Sequence, residues 1–323
     1  MKRMALQIMQ KCGVFTFTRL TSARMARILM YHNFAESNET NQDAVCVDAL
    51  RKQLSCLRRK FKVVPLRTIA EHLTRGMELD PLCVAVTIDD GRRNCYQVLF
   101  PLLKEFGIPA TLFVVTSFIE GEDWIWTDKV LWLSARSQMP ELASDVIDDQ
   151  FARLNRLRPE MRNSWIEEAA RCAGCSIPKS PPEAYSPCSW SELGEMADSG
   201  LLEIGSHTVS HPILASITEA ESWDELTNSR LQIQRRLGRP ALSFCFPNGK
   251  GGDYSAAQLR QVEEAGYECA VAAQWGMVTN SSSRYELPRI GVSGSSDVLS
   301  FSKELEGVEH YQKQILGSLR TRH

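Results

Sequence analysis

Asp89 and Asp90 follow directly on the apolar run Cys83-Val-Ala-Val-Thr-Ile88 and stand just before Gly91. Two adjacent carboxylates repel each other, so a pair at a buried strand end calls for a cation or a shared proton. Gly91 gives the backbone the freedom to turn that pair inward. The same residues also read as an acidic turn capping the next helix, because Asp-Gly is ordinary turn chemistry. Far along the chain stands Ser206-His-Thr-Val-Ser-His211. Two histidines four apart in a helical turn project to one side, which suits a shared metal. Pro212 limits any continuation of that turn and fixes His211 near an element boundary. Together the acidic strand end and the histidines make an Asp-His-His set with open positions, suited to Zn2+ and tolerant of Fe2+, Mn2+ or Co2+.

These residues need elements that bring them to one rim. The run 83–88 fits a strand buried on both faces, with its chemistry at the C-terminal end as in other α/β sheets. Arg27 to His32 reads as a first strand ending in a histidine, followed by a polar loop through Asp43. Apolar residues at helical spacing mark Val47 to Phe61, and Cys95 to Phe106 reads as one helix stopping at Gly107. Strands follow at Pro109–Val115, Leu201–Ser206, Ala241–Phe246, Glu268–Ala273 and Glu286–Val292, with helices between them. Seven or so strands alternating with helices favour a closed or nearly closed α/β barrel. Trp124 to about Pro187 breaks the alternation and reads as a mostly helical insertion.

A net charge of −2 on 323 residues gives no sign of nucleic-acid binding, and no 18-residue apolar run predicts a spanning helix. Residues 1–26 form a basic segment that reads as a helix packed on the domain. Its amphipathic character would also suit an anionic membrane surface. Its apolar stretch is too short for a secretory signal. Ten scattered cysteines without a framework spacing point to a reducing, cytoplasmic setting. Cys172-Ala-Gly-Cys175 lacks the context of a zinc or redox motif and reads as structural.

The chain resembles the polysaccharide deacetylases, the carbohydrate esterase family 4-like group with the NodB homology domain. Thr87-Ile-Asp-Asp-Gly91 is similar to that family's Thr-Phe-Asp-Asp-Gly, and His207-Thr-Val-Ser-His211 to its histidine motif. Ile28-Leu-Met-Tyr-His32 and Phe106-Gly-Ile-Pro-Ala-Thr-Leu-Phe113 are similar to two further segments. The resemblance implies a deformed (β/α)7 barrel over about 27–306, with the helical insertion at 124–187 and a C-terminal tail at 307–323. It implies a metal-dependent deacetylase acting on an N-acetylated sugar. Asp90, His207 and His211 would bind a divalent transition metal, Zn2+ first, with Co2+, Mn2+, Fe2+ or Ni2+ as alternatives. Asp89 would be the general base, and Asn248, after Pro247, would supply an oxyanion-binding N–H.

Two departures stand out. Cys245 replaces the arginine that would orient the base, and no late histidine stands in the family's context for the leaving-group acid. His32 is the best acid candidate, although it reads equally as a supporting or core histidine. Arg289 would orient Asp89 from the opposite side of the rim, and Trp126 and Asp128 would frame the substrate mouth. The substrate would be a carbohydrate precursor, lipid-linked or nucleotide-linked, handled at or near the inner face of the membrane. Other readings are hydrolysis of a different non-peptide C–N bond, or a catalytically impaired carbohydrate-binding relic.

Overall fold

Every residue of Cys83–Ile88 is buried, as an unbroken apolar run requires of a strand covered on both faces. The computed structural model describes residues 2–37, 44–137, 139–143, 146–294 and 297–313, and it sets this strand in a closed ring of seven. In chain order they are β1 (Arg27–Tyr31), β2 (Cys83–Ile88), β3 (Ala110–Val114), β4 (Leu202–Ser206), β5 (Ser243–Cys245), β6 (Cys269–Trp275) and β7 (Leu287–Gly291). All pairings are parallel, each strand lies beside the next, and β1 closes the ring by pairing with both β2 and β7.

The ring is uneven, and its irregularities bear on the site. β1 runs along β2 from Arg27↔Val84 to Tyr31↔Ile88, whereas β2 meets β3 only at Thr87 and Ile88. Where β3 has diverged, the short strand Lys62–Val63 pairs with Cys83 and Val84 instead. β4 and β5 share the single pair Ser206↔Phe244, and the register of β6 against β7 slips between Leu287 and Arg289. Each break lies on one side of a strand that carries Asp89, His207 or Arg289.

Outer helices return the chain from one strand to the next. Trp190–Asp198, Glu219–Leu237 and Ala256–Glu264 each begin with a capping box, from Ser189/Glu192, Thr218/Glu221 and Ser255/Gln258. Each box satisfies N–H groups that the first helical turn leaves unpaired, and so sharpens the start of the helix. The segment expected as one helix from Cys95 to Phe106 divides into a π-turn, Cys95–Leu99, and an α-helix, Phe100–Phe106. Pro101 has no N–H to direct at the carbonyl of Gln97, so the regular α ladder cannot run through this point.

The insertion has its own core. Helices Trp126–Ser134, Ile147–Leu154 and Pro159–Cys172 bury Trp124, Trp126, Val130, Leu133, Leu154 and Ile166 together. Its end is tied back to the acidic turn: Pro187 bridges Arg92, and the Cys188 N–H donates to the Gly91 carbonyl at 2.9 Å. The first two helices, Lys2–Lys11 and Val14–Thr21, pack against Val298–Leu305. Buried Glu306 pairs there with Arg19 and Lys60. Residues 38–43 of the polar loop and 314–323 of the tail lie outside the described residues.

A methyl group at Gly205 would stand 2.6 Å from the Phe113 ring and 2.8 Å from Ser243 Oγ, whereas one at Gly194 meets nothing nearer than 4.0 Å. Gly205→Ala is therefore expected to lower stability by about 1–3 kcal/mol through overpacking. Gly194→Ala, inside a helix, should be neutral or stabilise by up to about 1 kcal/mol. Urea unfolding of the two variants beside the parent checks both signs.

Candidate active site

Three turns at strand ends build the site, and each contains backbone that most residues avoid. Among the described residues, the non-glycine positions with positive φ are Leu82, Asp90, Thr208, His211 and Asn248, and four of these five lie on the turns in question. Such conformations cost of order 1–3 kcal/mol each and persist where surrounding structure over-determines them. Asp90 at φ 77° and Gly91 at φ 85° form the turn after β2. A Cβ on Gly91 would press on Val114 and Ile119 at 3.0 Å, so glycine is required for space as well as for φ.

The histidine segment is not the helical turn expected from its spacing. Thr208 and His211 both have positive φ, and the loop is held by bonds across it. The Thr208 hydroxyl donates to the His207 carbonyl and accepts from the His211 N–H. The Glu225 carboxylate collects the N–H groups of Val209 and Ser210 at 2.7 and 2.9 Å. The result still converges: the imidazole centroids lie 4.7 Å apart.

Asp90 faces both rings, its Oδ1 being 3.7 Å from His207 Nε2 and 3.9 Å from His211 Nε2. All three residues are buried, and their ligand atoms lie within 4.8 Å of one another. His207 Nδ1 lies 2.8 Å from the Cys245 carbonyl, which can only accept, so Nδ1 carries the proton and the Nε2 lone pair is left for the site. Burial holds His207 below the ordinary imidazole value, and burial with His207 beside it pushes His211 down to about 3. Two neutral imidazoles and one ionised carboxylate are a donor set that fits a divalent transition metal. Asp89, His207 and Cys245 form a second, overlapping group within the same reach. Burial drives the Cys245 thiol well above its usual value, which favours the first set over the second.

The adjacent carboxylates are kept apart electrically by two arginines. Asp89 takes a two-pronged contact from Arg289, with Nη1–Oδ1 at 2.7 Å and Nη2–Oδ2 at 2.8 Å. Arg289 also reaches the sulfur of Cys245 at 3.1 Å, so the small side chain at 245 packs beside the guanidinium that holds Asp89. Asp90 Oδ2 accepts from Arg92 Nη2 at 3.0 Å, leaving Oδ1 toward the histidines. Burial alone would raise both carboxyls, but the guanidinium beside each outweighs it and holds both below the usual carboxylate range. Arg92 is shared with Asp128 of the insertion at 2.7 Å. Asp128 does not frame the mouth as expected: it is fully buried, and burial raises its carboxyl to about 6 despite the guanidinium.

A cavity of about 1050 Å3 opens over these groups, lined by His32, Asp89, Asp90, Trp126, His207, His211 and Asn248 among others. His32 is about half exposed, its Nε2 3.6 Å from Asp89 Oδ2. Asn248, at φ 57°, follows Pro247 in a turn pinned to β6 by a 2.9 Å bond from the Ala273 N–H to the Gly249 carbonyl. Among the described residues nothing accepts the Asn248 backbone N–H. Pro247 is buried under this turn and does not line the cavity. Trp126 is largely buried and forms part of the wall supplied by the insertion, with Asp148, Phe151, Asn155 and Arg156. His310 lies off the cavity, stacked on Trp275. Arg92 was not legible as a site residue: its one signal is its position directly after Asp-Asp-Gly.

The sequence matches the polysaccharide deacetylase family over residues 77–270, more than half of the chain. The chain belongs to that family, whose members are hydrolases of amide C–N bonds in N-acetylated sugars. Among curated relatives it is 21% identical over 282 residues to the Bacillus subtilis protein YxkH, covering 87% of this chain and 76% of that one. It is also 21% identical over 300 residues to the poly-beta-1,6-N-acetyl-D-glucosamine N-deacetylase of Escherichia coli, covering 88% of this chain but only 39% of the relative. The fold is shared with the Streptococcus pyogenes deacetylase PplD in complex with acetate (TM-score 0.61, 17% identity, 87% and 98% of the two chains). IcaB from Ammonifex degensii has it too (TM-score 0.58, 20% identity, 87% and 97%).

Removing Arg92 leaves Asp90 and Asp128 buried and facing each other without a cation. Arg92→Met is expected to cost about 3–5 kcal/mol, the scale for breaking a buried ion pair. Asp89 and Asp90, held below their unfolded values, confer stability that is complete above about pH 4 and is lost as the pH falls further. Urea midpoints from pH 7 to pH 3 test both statements. An unchanged midpoint in Arg92→Met, or a flat acid limb in the parent, would contradict them.

Proposed function

We propose that this chain is a metal-dependent deacetylase that removes acetyl groups from an N-acetylated sugar in polysaccharide or glycolipid biosynthesis. The observation that carries the reading is the convergence of Asp90 Oδ1, His207 Nε2 and His211 Nε2 beside an independently anchored Asp89 on one cavity. Asp90, His207 and His211 would hold a divalent transition metal, Zn2+ first on the strength of two imidazoles and one carboxylate. When bound, such an ion supplies Lewis acidity, polarising a carbonyl oxygen and acidifying water.

The remaining chemistry falls to this chain's own groups. Asp89, held ionised by Arg289, accepts the proton of the attacking water. Arg289 is a positioning residue: its fork fixes which carboxylate oxygen faces the cavity and keeps the base oriented. The backbone N–H of Asn248 stands ready for the oxyanion that develops on the acetyl carbonyl. His32, 3.6 Å from Asp89 and open to the cavity, donates the proton that the leaving amine needs. Trp126 and the insertion shape the pocket for the sugar.

The domain boundaries expected from the sequence, a basic segment to residue 26, the barrel to 306 and a tail beyond, remain part of this proposal. All ten cysteines are free thiols, which supports a reducing, cytoplasmic setting. Among the described residues no helix is long and apolar enough to cross a membrane. Met4, Ile8, Phe17 and Leu20 are nevertheless exposed on the basic N-terminal helices, which supports peripheral contact with an anionic membrane and a lipid-linked substrate.

Asp89→Asn should retain about one metal per chain and lose acetate release by about 100-fold or more, the scale of a general-base contribution. His207→Ala should lose the metal itself. Elemental analysis beside an acetate assay on N-acetylglucosamine oligomers reads both. Normal turnover in Asp89→Asn sinks the base assignment, and release of formate instead of acetate from a wider amide panel would favour another C–N hydrolase.

A further inference from the structure

Both ends of the insertion close on the acidic turn. At its start, Asp128 Oδ1 lies 2.7 Å from Arg92 Nη2, and the same nitrogen stands 3.0 Å from Asp90 Oδ2. At its end, the Ser186 carbonyl accepts from the Arg93 N–H at 2.9 Å, and the Cys188 thiol donates to the Arg92 carbonyl at 3.2 Å. The backbone around Arg92 is thereby fixed, and its guanidinium, which borders the cavity, is held between two carboxylates. Asp128 is fully buried, and among the described residues no other cation pairs with it and no neutral donor bonds its oxygens. A carboxylate enclosed with a single partner is a poor source of stability, since apolar side chains of the same shape often do as well. What Asp128 changes is the charge. Asp89 is matched by Arg289 and Asp90 by Arg92, so without Asp128 these ion pairs would carry no net charge. The third carboxylate gives this chain of contacts one negative charge in excess, next to the converging donor atoms of Asp90, His207 and His211. A further positive charge, on Arg162, acts on His211 and makes the third carboxylate matter more.

We propose that Asp128 is a positioning residue for a divalent cation: acting through Arg92, it restores negative charge to the rim and raises the affinity of Asp90, His207 and His211 for the ion. The inference rests on the reading of those three residues as metal ligands. Two effects run in the same direction. Asp128 offsets the guanidinium charge, which otherwise opposes a cation at close range. It also draws Arg92 Nη2 toward the insertion, which keeps the guanidinium on Asp90 Oδ2 and leaves Oδ1 facing the histidines. The insertion is on this account needed for the metal site as well as for the wall of the cavity.

Zinc affinity of the full chain, read by competition with a chromophoric chelator at a pH above the Asp128 value of about 6, tests this without turnover. Asp128→Asn keeps the shape of the side chain and removes its charge, so it should bind zinc roughly tenfold or more weakly than the parent. Adding Arg92→Met to that variant removes the unbalanced positive charge and should bring the affinity back toward the parent's. A merely structural ion pair predicts the opposite, a further loss in the double variant. Urea unfolding of the metal-free proteins confirms that each variant is folded, and Asp128→Asn against the parent decides alone should the double variant not fold. Parent-like zinc affinity in Asp128→Asn, or a folded double variant weaker than that single one, overturns the proposal, while loss of zinc in His207→Ala keeps the metal reading intact. Failure of the parent itself to bind zinc sinks that reading, and this inference with it.

Discussion

Two adjacent carboxylates stay ionised side by side at a buried strand end only because each has its own guanidinium. Arg289 takes Asp89 from β7, and Arg92 takes Asp90 from within the same turn. In a buried rim, a missing cation would force one carboxyl to keep its proton. The division of labour follows from this electrical separation. Asp90 turns one oxygen to Arg92 and the other to the two histidines, while Asp89 is aimed at the cavity. Closure of the barrel is what brings β7 within reach of β2: both flank β1, so Arg289 spans from one neighbour of β1 to the other.

The same constraint explains how the insertion is coupled to the chemistry. Asp128 is the second partner of Arg92, and the insertion returns to the acidic turn through Pro187 and Cys188. A segment with its own apolar core is thus fastened to the acidic turn by an ion pair and backbone bonds. Movement of the insertion would be felt first at Arg92, and through it at Asp90. The insertion also supplies one wall of the cavity, so the cavity's shape and the geometry of the acidic turn depend on one structural unit.

Much of this was legible in the sequence, because strands such as Cys83–Ile88 are largely apolar runs and the candidate metal ligands stand directly after strand ends. The residues 83–90 announce both burial and charge, and Arg289 stands in the last strand as an arginine able to take the place of the one lost at Cys245. What stayed hidden depends on packing across distant segments. Nothing local marks Arg92 as bridging Asp90 and Asp128, since an arginine after a turn is usually solvated. Asp128 stands in a Trp-Thr-Asp stretch that reads as framing the substrate mouth, yet it is enclosed by the insertion. The His207–His211 loop departs from the helical turn that its four-residue spacing suggests. Two positive φ angles and the Glu225 carboxylate achieve the same convergence without one. The π-turn at Cys95 likewise follows from Pro101, a cue present in the sequence but outweighed there by helical periodicity.

In the proposed reading this rim would hold a metal through Asp90, His207 and His211 and leave Asp89 free as a base. The direct measurement is anomalous diffraction at the zinc edge from crystals of the zinc-loaded protein. A single peak within bonding distance of Asp90, His207 and His211, with Asp89 still paired to Arg289, is the predicted result. A peak held instead by Asp89, His207 and Cys245, or no peak at this rim, would contradict the account.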